Sequence, residues 1–292
     1  MDTITSSPHQ ISPSDLYARM GSATAPLLLD VRRGAKFADS PRMLAGAIRC
    51  APENVAAFAA AQGPREVVAY CVYGHNVSAD TAAALGAAGW PASQLAGGME
   101  GGEDGVDTAD NVTRWRMQAP ITMAKRPDWG VTGEQASRWV TRARPKIDRI
   151  ACPWLIRRFV DPRAEFFYVP TAQVFDEARR LNAVAYDIPG APVTHVGDLC
   201  SFDALLAGFD LSSPGLDKLA RIVRGADTDC LSLSPQSVGL LAFSLGLSQL
   251  HIDDHAMLEA AMPLYDALYA WCSATQPEPH NWTPQPVQIT AP

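Results

Sequence analysis

A single cysteine, Cys71, stands where the sequence turns from one kind of element to another. It follows the apolar residues 66–70, which predict a strand, and precedes the alanine-rich residues 78–88, which predict a helix. Backbone N–H groups of the intervening loop and the positive end of that helix would both favour a negatively charged sulfur. The position therefore favours a nucleophilic thiolate that carries a persulfide. A buried structural cysteine is the alternative that the spacing leaves open.

The C-terminal half holds the best assortment of metal-binding residue types in the chain. Imidazole nitrogen, carboxylate oxygen and thiol sulfur together are donors suited to Zn, Fe or Mn. Their spacing matches no standard zinc signature, and carboxylates at helix starts could instead cap those helices. The candidate ligands are His195, Cys200, Asp203, Asp227, Asp254 and His255.

Three arginines near the start of the same half could bind a tetrahedral oxyanion such as chromate or sulfate. Guanidinium groups match such oxyanions because they donate two parallel hydrogen bonds. The three arginines are Arg149, Arg157 and Arg158. Ion pairing with neighbouring carboxylates is the alternative that the sequence favours, and the expected partners are Asp148, Asp161 and Glu165.

The elements that must position these residues fall into two groups. Within the first hundred residues, apolar strands predicted at 27–31, 67–70 and 93–95 alternate with helices. This pattern predicts an α/β N-terminal domain with a parallel sheet flanked by helices. From about residue 131 the pattern changes, and we expect a mainly helical α+β C-terminal domain with one strand at 165–169.

The boundaries between these units follow from composition. An acidic, glycine-containing run and later prolines interrupt the alternation after the first unit, which indicates a linker. We predict an N-terminal domain at residues 12–105, a linker at 106–130, a C-terminal domain at 131–275 and a proline-containing tail at 276–292.

Composition limits the classes of function. The 292 residues are 47% hydrophobic and 19% charged, and the net charge of −7 argues against binding nucleic acid through bulk electrostatics. We expect no signal peptide and no membrane-spanning segment, because apolar runs of the required length are absent from the sequence. The six cysteines form no CxxC pair, so we expect free thiols and a cytoplasmic location.

Five segments, taken in order, resemble the landmarks of a rhodanese domain: LLLDVR, AGAI, VAYCVYGHNVS, AAGWP and LAGGM. The resemblance covers roughly residues 12–105 and implies an α/β sulfurtransferase whose Cys71 carries the persulfide. It also implies that Asp30 and Arg32 support the loop, that no cofactor is required, and that the partners are a sulfane-sulfur donor and a thiol acceptor. The implied sulfur-cradling residues are Val72, Tyr73, Gly74, His75, Asn76 and Val77.

The loop departs from the rhodanese pattern at two positions. Many rhodaneses with this loop carry arginines where Val72 and Asn76 stand here. Without those cations a thiosulfate site loses direct neutralisation of charge, which places that donor in question. A protonated His75 could replace part of the charge, although an exposed loop histidine without a role is the alternative.

The second half resembles the C-terminal domain of ChrB-type chromate-resistance proteins. The resemblance begins in RPKIDRIACPWLIRRFVDPRAEFFYVP and continues in HVGDLCSFDALL, IVRGADTD, GLLAFSLGLS and DDHAMLEAAMPLYDALYAWC, over about 140 residues. It implies a context of chromate or metal stress, and in some members transcriptional control. A rhodanese-like domain here occupies the place of the DNA-binding segment of regulatory members, so we expect no nucleic-acid partner.

The sequence supports two main hypotheses. The first is rhodanese-type sulfur transfer through a Cys71 persulfide, coupled to a C-terminal domain related to chromate or metal stress. The second is a metal- or oxyanion-binding sensor or regulator of chromate stress in which the rhodanese-like module is not catalytic. A metal-dependent oxidoreductase is a third hypothesis, although GGMEGG lacks the context of a dinucleotide-binding unit.

Overall fold

The computed structural model describes residues 9–273, so the predicted tail at residues 276–292 lies outside the described part of the chain. The N-terminal half begins with six strands: β1 (His9–Ile11), β2 (Leu27–Asp30), β3 (Arg42–Leu44), β4 (Ala47–Arg49), β5 (Val67–Tyr70) and β6 (Ala92–Leu95). Four helices lie between them: α1 (Pro13–Arg19), α2 (Gly34–Asp39), α3 (Val55–Ala61) and α4 (Asn76–Ala87).

Five of these strands form one parallel sheet in the order β1-β6-β5-β2-β4. Every residue of the central strands β2 and β5 is buried, because helices cover both faces of the sheet. The apolar sequences LLLD and VVAY reflect that double coverage. The predicted fold class of the N-terminal half, a parallel sheet flanked by helices, is confirmed.

The segment expected to be a linker contains regular structure. Helix α5 (Ala109–Met117) begins after Thr108, whose side chain accepts a hydrogen bond from the N–H of Asn111. Strand β7 (Thr122–Ala124) then pairs antiparallel with β3, so that Met123 lies opposite Met43. Neither element is evident from the acidic, glycine-containing sequence. Each is short, and β7 is stabilised by pairing with a strand that is distant in sequence.

The C-terminal half combines a small sheet with helices. Strands β8 (Arg138–Arg142), β9 (Glu165–Val169) and β10 (Val184–Ala185) form a parallel sheet in the order β10-β8-β9. The helices are α6 (Asp148–Leu155), α7 (Val174–Leu181), α8 (Ser201–Phe209), α9 (Pro214–Asp227), α10 (Gln236–Leu250) and α11 (Asp254–Ser273). This helix-rich arrangement confirms the predicted class of the second half.

One proline lies inside a helix. Helix α6 begins at Asp148, so Pro153 falls beyond its first turn. A proline there removes a backbone hydrogen bond and crowds the preceding turn. A π-helical turn, Ile156–Val160, follows directly and ends the helix before β9.

The two halves share one continuous hydrophobic core. Leu16 and Met20 of the N-terminal half belong to the same buried cluster as Trp154 and Phe159 of the C-terminal half. At Gly21, where φ is +76°, an added Cβ would overlap the ring of Phe159. The N-terminal sheet and the C-terminal helices are therefore packed as one structural unit rather than joined by a free tether.

Within residues 9–273, no helix combines the length and the apolar character that crossing a membrane requires.

Candidate functional site

Cys71 lies directly after the last residue of β5, and α4 begins five residues later at Asn76. Its side chain is only 6% exposed, and its Sγ lies 3.3 Å from the Oγ of Ser78 in the first turn of α4. The Ser78 hydroxyl also lies within hydrogen-bond distance, 3.2 Å, of the carbonyl oxygen of His75. The thiol is therefore held at the carboxyl end of a parallel strand, beside a helix N-terminus.

The loop after Cys71 is fixed by a second turn that packs against it. Gly74 has a φ of +74°, and a Cβ added there would lie 2.6 Å from the backbone nitrogens of Gly97 and Gly98. The N–H of Met99 donates to the carbonyl of Cys71 at 2.9 Å, which ties the two segments together. The glycines of the loop and of the segment LAGGM are thus required by the close approach of two backbones.

His75 is already paired with carboxylates. Its Nε2 lies 2.8 Å from the Oδ2 of Asp107, and its Nδ1 lies 3.4 Å from the Oε2 of Glu103. The backbone N–H of Glu103, assisted by His75, lowers the pKa of Asp107, so this carboxylate stays ionised. Positive charge on His75 would therefore be largely neutralised by the protein itself rather than offered to an incoming anion.

Asp30 and Arg32 form a buried ion pair at the end of β2. The Nη2 of Arg32 lies 2.5 Å from the Oδ2 of Asp30, and both side chains are almost completely buried. The hydroxyl of Tyr70 donates to the same carboxylate at 2.8 Å and accepts from the N–H of Leu44. Because Tyr70 immediately precedes Cys71, this network fixes the end of the strand from which the loop starts.

An open pocket of 680 Å³ lies beside the loop. Val72 and Tyr73, the two residues after Cys71, form part of its wall. The remaining wall carries charges of both signs, including Lys36, Arg116 and Glu100. The pocket can admit a small polar molecule, but its mixed charge does not define a strong anion site.

A second cluster of chemically active groups lies in the C-terminal half. The Nε2 of His195 lies 3.0 Å from the Oδ2 of Asp227, 3.6 Å from the Oδ2 of Asp148 and 3.5 Å from the Oδ1 of Asp187. Asp148 is the first residue of α6, Asp227 is the last residue of α9, and Asp187 follows β10. Three elements that are distant in sequence thus converge on one imidazole.

Burial sets the electrostatics of this cluster. Asp148 is completely buried, and its desolvation, with the nearby charges of Asp227 and Asp187, raises the pKa of Asp148 well above its usual range. Burial and the charge of Asp187 also raise the pKa of Asp227. His195, in contrast, is 40% exposed, so the cluster is reached from solvent on its histidine side.

The surrounding side chains fix the carboxylates. Asp187 is paired with Arg149 at 3.2 Å and with Arg142 at 3.1 Å, and its Oδ1 accepts from the hydroxyl of Ser201 at 2.9 Å. The N–H of Ser201 donates to the Oδ2 of Asp148 at 2.5 Å. The Oδ1 of Asp148 has no hydrogen-bond partner among residues 9–273.

The backbone beside the cluster is strained. Ile147, which precedes Asp148, has a φ of +28°, a region that β-branched residues rarely occupy. Asp187 also lies in the left-handed region, with a φ of +51°. Such conformations persist where the surrounding structure over-determines them, and they concentrate at functional sites.

The structure separates the ligands proposed from sequence. In the described range 9–273, the residues whose ligand atoms all lie within 4.8 Å of one another are Asp148, His195 and Asp227. The other proposed ligands have separate partners: Asp203 pairs with Arg224 and accepts from the N–H of Cys200, Asp254 accepts from the N–H of Arg144, and the ring of His255 packs on Tyr168. Sequence reasoning missed Asp148 and Asp187 as members of the site, because only the fold brings them to His195.

The three proposed oxyanion-binding arginines do not share a site. Arg149 pairs with Asp187, Arg157 pairs with Glu259 at 2.5 Å, and Arg158 makes two hydrogen bonds to Asp266. Each guanidinium is thus neutralised separately, as the ion-pairing alternative expects. The partners differ from those predicted, since Asp161 pairs with Arg163 and Glu165 with Arg138.

Comparison with known proteins assigns the second half to a class. Residues 139–272 match the family model described as "ChrB, C-terminal domain", which confirms the ChrB resemblance for this half. Among individual proteins, the chain is similar to "Protein ChrB" of Cupriavidus metallidurans, with 34% identity over 144 residues. That alignment covers 49% of this chain and 43% of the relative, so the chain spans less than half of the relative's length.

A solved structure is similar to part of the chain. It is described as Saccharomyces cerevisiae Ygr203w, a homolog of single-domain rhodanese and Cdc25 phosphatase catalytic domain. The similarity covers 31% of this chain and 76% of that chain, with 15% sequence identity and a TM-score of 0.24.

Proposed function

We propose that the chain is a sulfur carrier that acts through a Cys71 persulfide in a context of chromate or metal stress. The observation that carries the proposal is the placement of the thiol. Cys71 lies at the carboxyl end of the buried strand β5, before a loop held by Gly74 and the N-terminus of α4. This end of a parallel strand is where α/β folds place ligand sites, and the helix N-terminus favours an anionic sulfur.

Sulfur transfer at this position needs two displacement steps. The Cys71 thiolate attacks the terminal sulfur of a persulfide donor, an S–S bond forms to Cys71, and the donor leaves as its thiolate. An acceptor thiolate then attacks the outer sulfur, takes it up as a new persulfide, and Cys71 leaves as the thiolate. The hydroxyl of Ser78, 3.3 Å from Sγ, can donate a hydrogen bond to the thiolate at the beginning and end of the cycle.

The charge around the loop favours a donor other than thiosulfate. The two loop positions without arginine are Val72 and Asn76, and His75 is already engaged by Asp107 and Glu103. A dianion approaching this loop would meet the carboxylates of Asp107 and Glu103, and the loop residues 72–77 themselves supply no guanidinium to neutralise it. We therefore propose a low-molecular-weight persulfide, or a protein-bound one, as the donor.

The ChrB-type second half supplies the cellular context of the proposal. The shared core of the two halves, in which Phe159 packs on Gly21, makes a common role more reasonable than an incidental fusion. A sensor of metal or oxyanion stress with a non-catalytic N-terminal module is the second candidate. The low exposure of Cys71, 6%, favours that alternative, because an incoming donor must reach the sulfur.

Catalytic turnover separates the two candidates. Protein is mixed with a low-molecular-weight persulfide and a chemically distinct thiol acceptor, and the formation of the acceptor's persulfide is followed with time by alkylation and mass spectrometry. We expect the wild-type rate to fall to background in Cys71→Ser and to persist in Cys230→Ser, which removes an exposed thiol. Equal rates in the wild type and Cys71→Ser would contradict sulfur transfer through Cys71.

A further inference from the structure

The cluster of Asp148, His195 and Asp227 in the C-terminal half contains a buried polar atom that no protein group in the described chain satisfies. Asp148 is completely buried within it, and its Oδ1 finds no partner in the described part of the chain. A buried carboxylate oxygen without a partner costs free energy, and a bound ion is one of the usual reasons for such a group. The unpartnered oxygen of Asp148 points to a bound cation independently of the clustering of acidic residues.

We infer that Asp148, His195 and Asp227 bind one divalent first-row metal ion, such as Mn²⁺, Fe²⁺ or Zn²⁺. The two donor distances from His195 suit an ion between these residues, and all three donor atoms lie within 4.8 Å of one another. Ligand atoms about 2.0–2.2 Å from a metal, at tetrahedral or octahedral angles, lie roughly 2.9–3.6 Å from one another. The Nε2 of His195 lies 3.0 Å from the Oδ2 of Asp227 and 3.6 Å from the Oδ2 of Asp148.

The cluster carries an excess of negative charge that a bound cation would offset. The carboxylates of Asp148, Asp187 and Asp227 outnumber the guanidinium groups of Arg142 and Arg149, which both pair with Asp187. A divalent cation supplies two positive charges and leaves His195 neutral, the form in which imidazole binds metals. Asp227 is also the C-terminal residue of α9, where the helix dipole attracts cations.

The donor types narrow the class of metal. An imidazole nitrogen with two carboxylate oxygens suits Mn, Fe or Zn better than Mg or Ca, which prefer oxygen alone. Only three protein ligands converge in the described chain, and His195 is 40% exposed. Three ligands with an open side are typical of metal sites that also bind water or a substrate, so we assign this one to a reactive rather than a structural metal.

Hydrogen bonds from neighbouring groups hold the carboxylates of the cluster in place. Ser201 connects two of the carboxylates, because its N–H donates to Asp148 and its hydroxyl donates to Asp187. The N–H of Asp148 lies 3.3 Å from the Oδ1 of Asp227, which leaves the Oδ2 of Asp227 directed to His195. Supports of this kind orient ligands, and their loss typically weakens metal binding by roughly 10–100-fold.

Mn²⁺ is the sharpest probe for this site, because thiolates bind it weakly and the exposed Cys230 will not compete. The full-length protein is stripped with a chelator, titrated with Mn²⁺, and the free ion is followed by electron paramagnetic resonance. We expect one ion per chain, a loss of binding greater than about 100-fold in His195→Gln and Asp227→Asn, and a loss of roughly 10–100-fold in Asp187→Asn.

The matched control is His255→Gln, which removes an exposed histidine at the start of α11 and should bind Mn²⁺ as the wild type does. Thermal unfolding without metal checks that every variant is folded. If Asp227→Asn fails to fold, His195→Gln decides, since that side chain is partly exposed. Absence of a stoichiometric ion in the wild type, or equal affinity in His195→Gln and His255→Gln, would overturn the assignment.

Discussion

The Oγ of Ser78 lies 3.3 Å from the Sγ of Cys71, and this contact joins the end of β5 to the first turn of α4. The same hydroxyl lies 3.2 Å from the carbonyl oxygen of His75, so it can donate either to that carbonyl or to the sulfur. When the thiol ionises, donation to the sulfur becomes the stronger interaction, because hydrogen bonds to charged groups are about twice as strong. Ser78 is therefore placed to respond to the charge on Cys71.

Ser78→Ala should slow the loading of sulfur onto Cys71 without unfolding the protein. A hydrogen bond to a charged group contributes about 1.5–3 kcal/mol, so we expect a rate lower by roughly tenfold or more. The control is Thr81→Ala on the same helix, which removes a hydroxyl that donates to the carbonyl oxygen of Val77. The rate of sulfur loading onto Cys71 in each variant is measured by mass spectrometry. Equal rates in Ser78→Ala and Thr81→Ala would exclude a role for the Ser78 hydroxyl.

Gly74→Ala should disrupt the sulfur loop. The glycine has a φ of +74°, and an added Cβ would lie 2.6 Å from the backbone nitrogens of Gly97 and Gly98. A backbone neighbour cannot move aside as a flexible side chain can, so the loop must shift and sulfur loading should fall to near background.

The control for this variant is Gly105→Ala, where φ is +79° but an added Cβ would have no atom within 4 Å. It introduces comparable backbone strain, about 1–2 kcal/mol, without the steric overlap. Loading is measured in both variants after their folding has been verified. Full loading of Gly74→Ala would show that the close contact with the second turn is not needed for the chemistry.

Asp30→Ala should destabilise the whole protein. The carboxylate lies buried between Arg32 and the hydroxyl of Tyr70, so its removal leaves a buried guanidinium uncompensated. We expect the free energy of unfolding to fall by about 3–5 kcal/mol. Glu66→Ala, which breaks the more exposed ion pair with Arg19, should cost about 0–1 kcal/mol. Denaturant titration of both variants tests the difference, and equal losses would contradict the structural role of the buried pair.

The cysteines should react with alkylating agents in a defined order. Cys230 is exposed and should be labelled first. Burial raises the pKa of Cys272 to about 11, and burial also raises the pKa of Cys152 and Cys200, so these thiols remain protonated and protected near neutral pH. Peptide mapping after brief labelling of the native protein checks the order. Labelling of Cys272 as fast as Cys230 would contradict the described packing.

The N-terminal sheet was largely predictable because its central strands leave a strong local signal. β2 and β5 are short apolar runs, and each is buried on both faces. β3 and β7 were not predicted, since each has three residues and their pairing joins Met43 to Met123 across a long stretch of chain. Strand pairing of that kind depends on tertiary structure rather than on local pattern.

The cluster of Asp148, His195 and Asp227 was predictable only in part. His195 and Asp227 were proposed as ligands from their types alone, whereas Asp148 was expected to form an ion pair. The neighbouring sequence of an aspartate at the start of a helix does not show whether its carboxylate caps the helix or has another partner. The meeting of Asp148 with Asp227, 79 residues away, is a property of the fold.

The most direct test of sulfur transfer through Cys71 is the mass of the Cys71 peptide after exposure of the reduced protein to a low-molecular-weight persulfide. We predict one added sulfur atom on that peptide, removal by cyanide, absence of the addition in Cys71→Ser, and little addition from thiosulfate. Sulfur transfer through Cys71 would be contradicted if Cys71 stays unmodified by both donors while a small alkylating agent still reaches it.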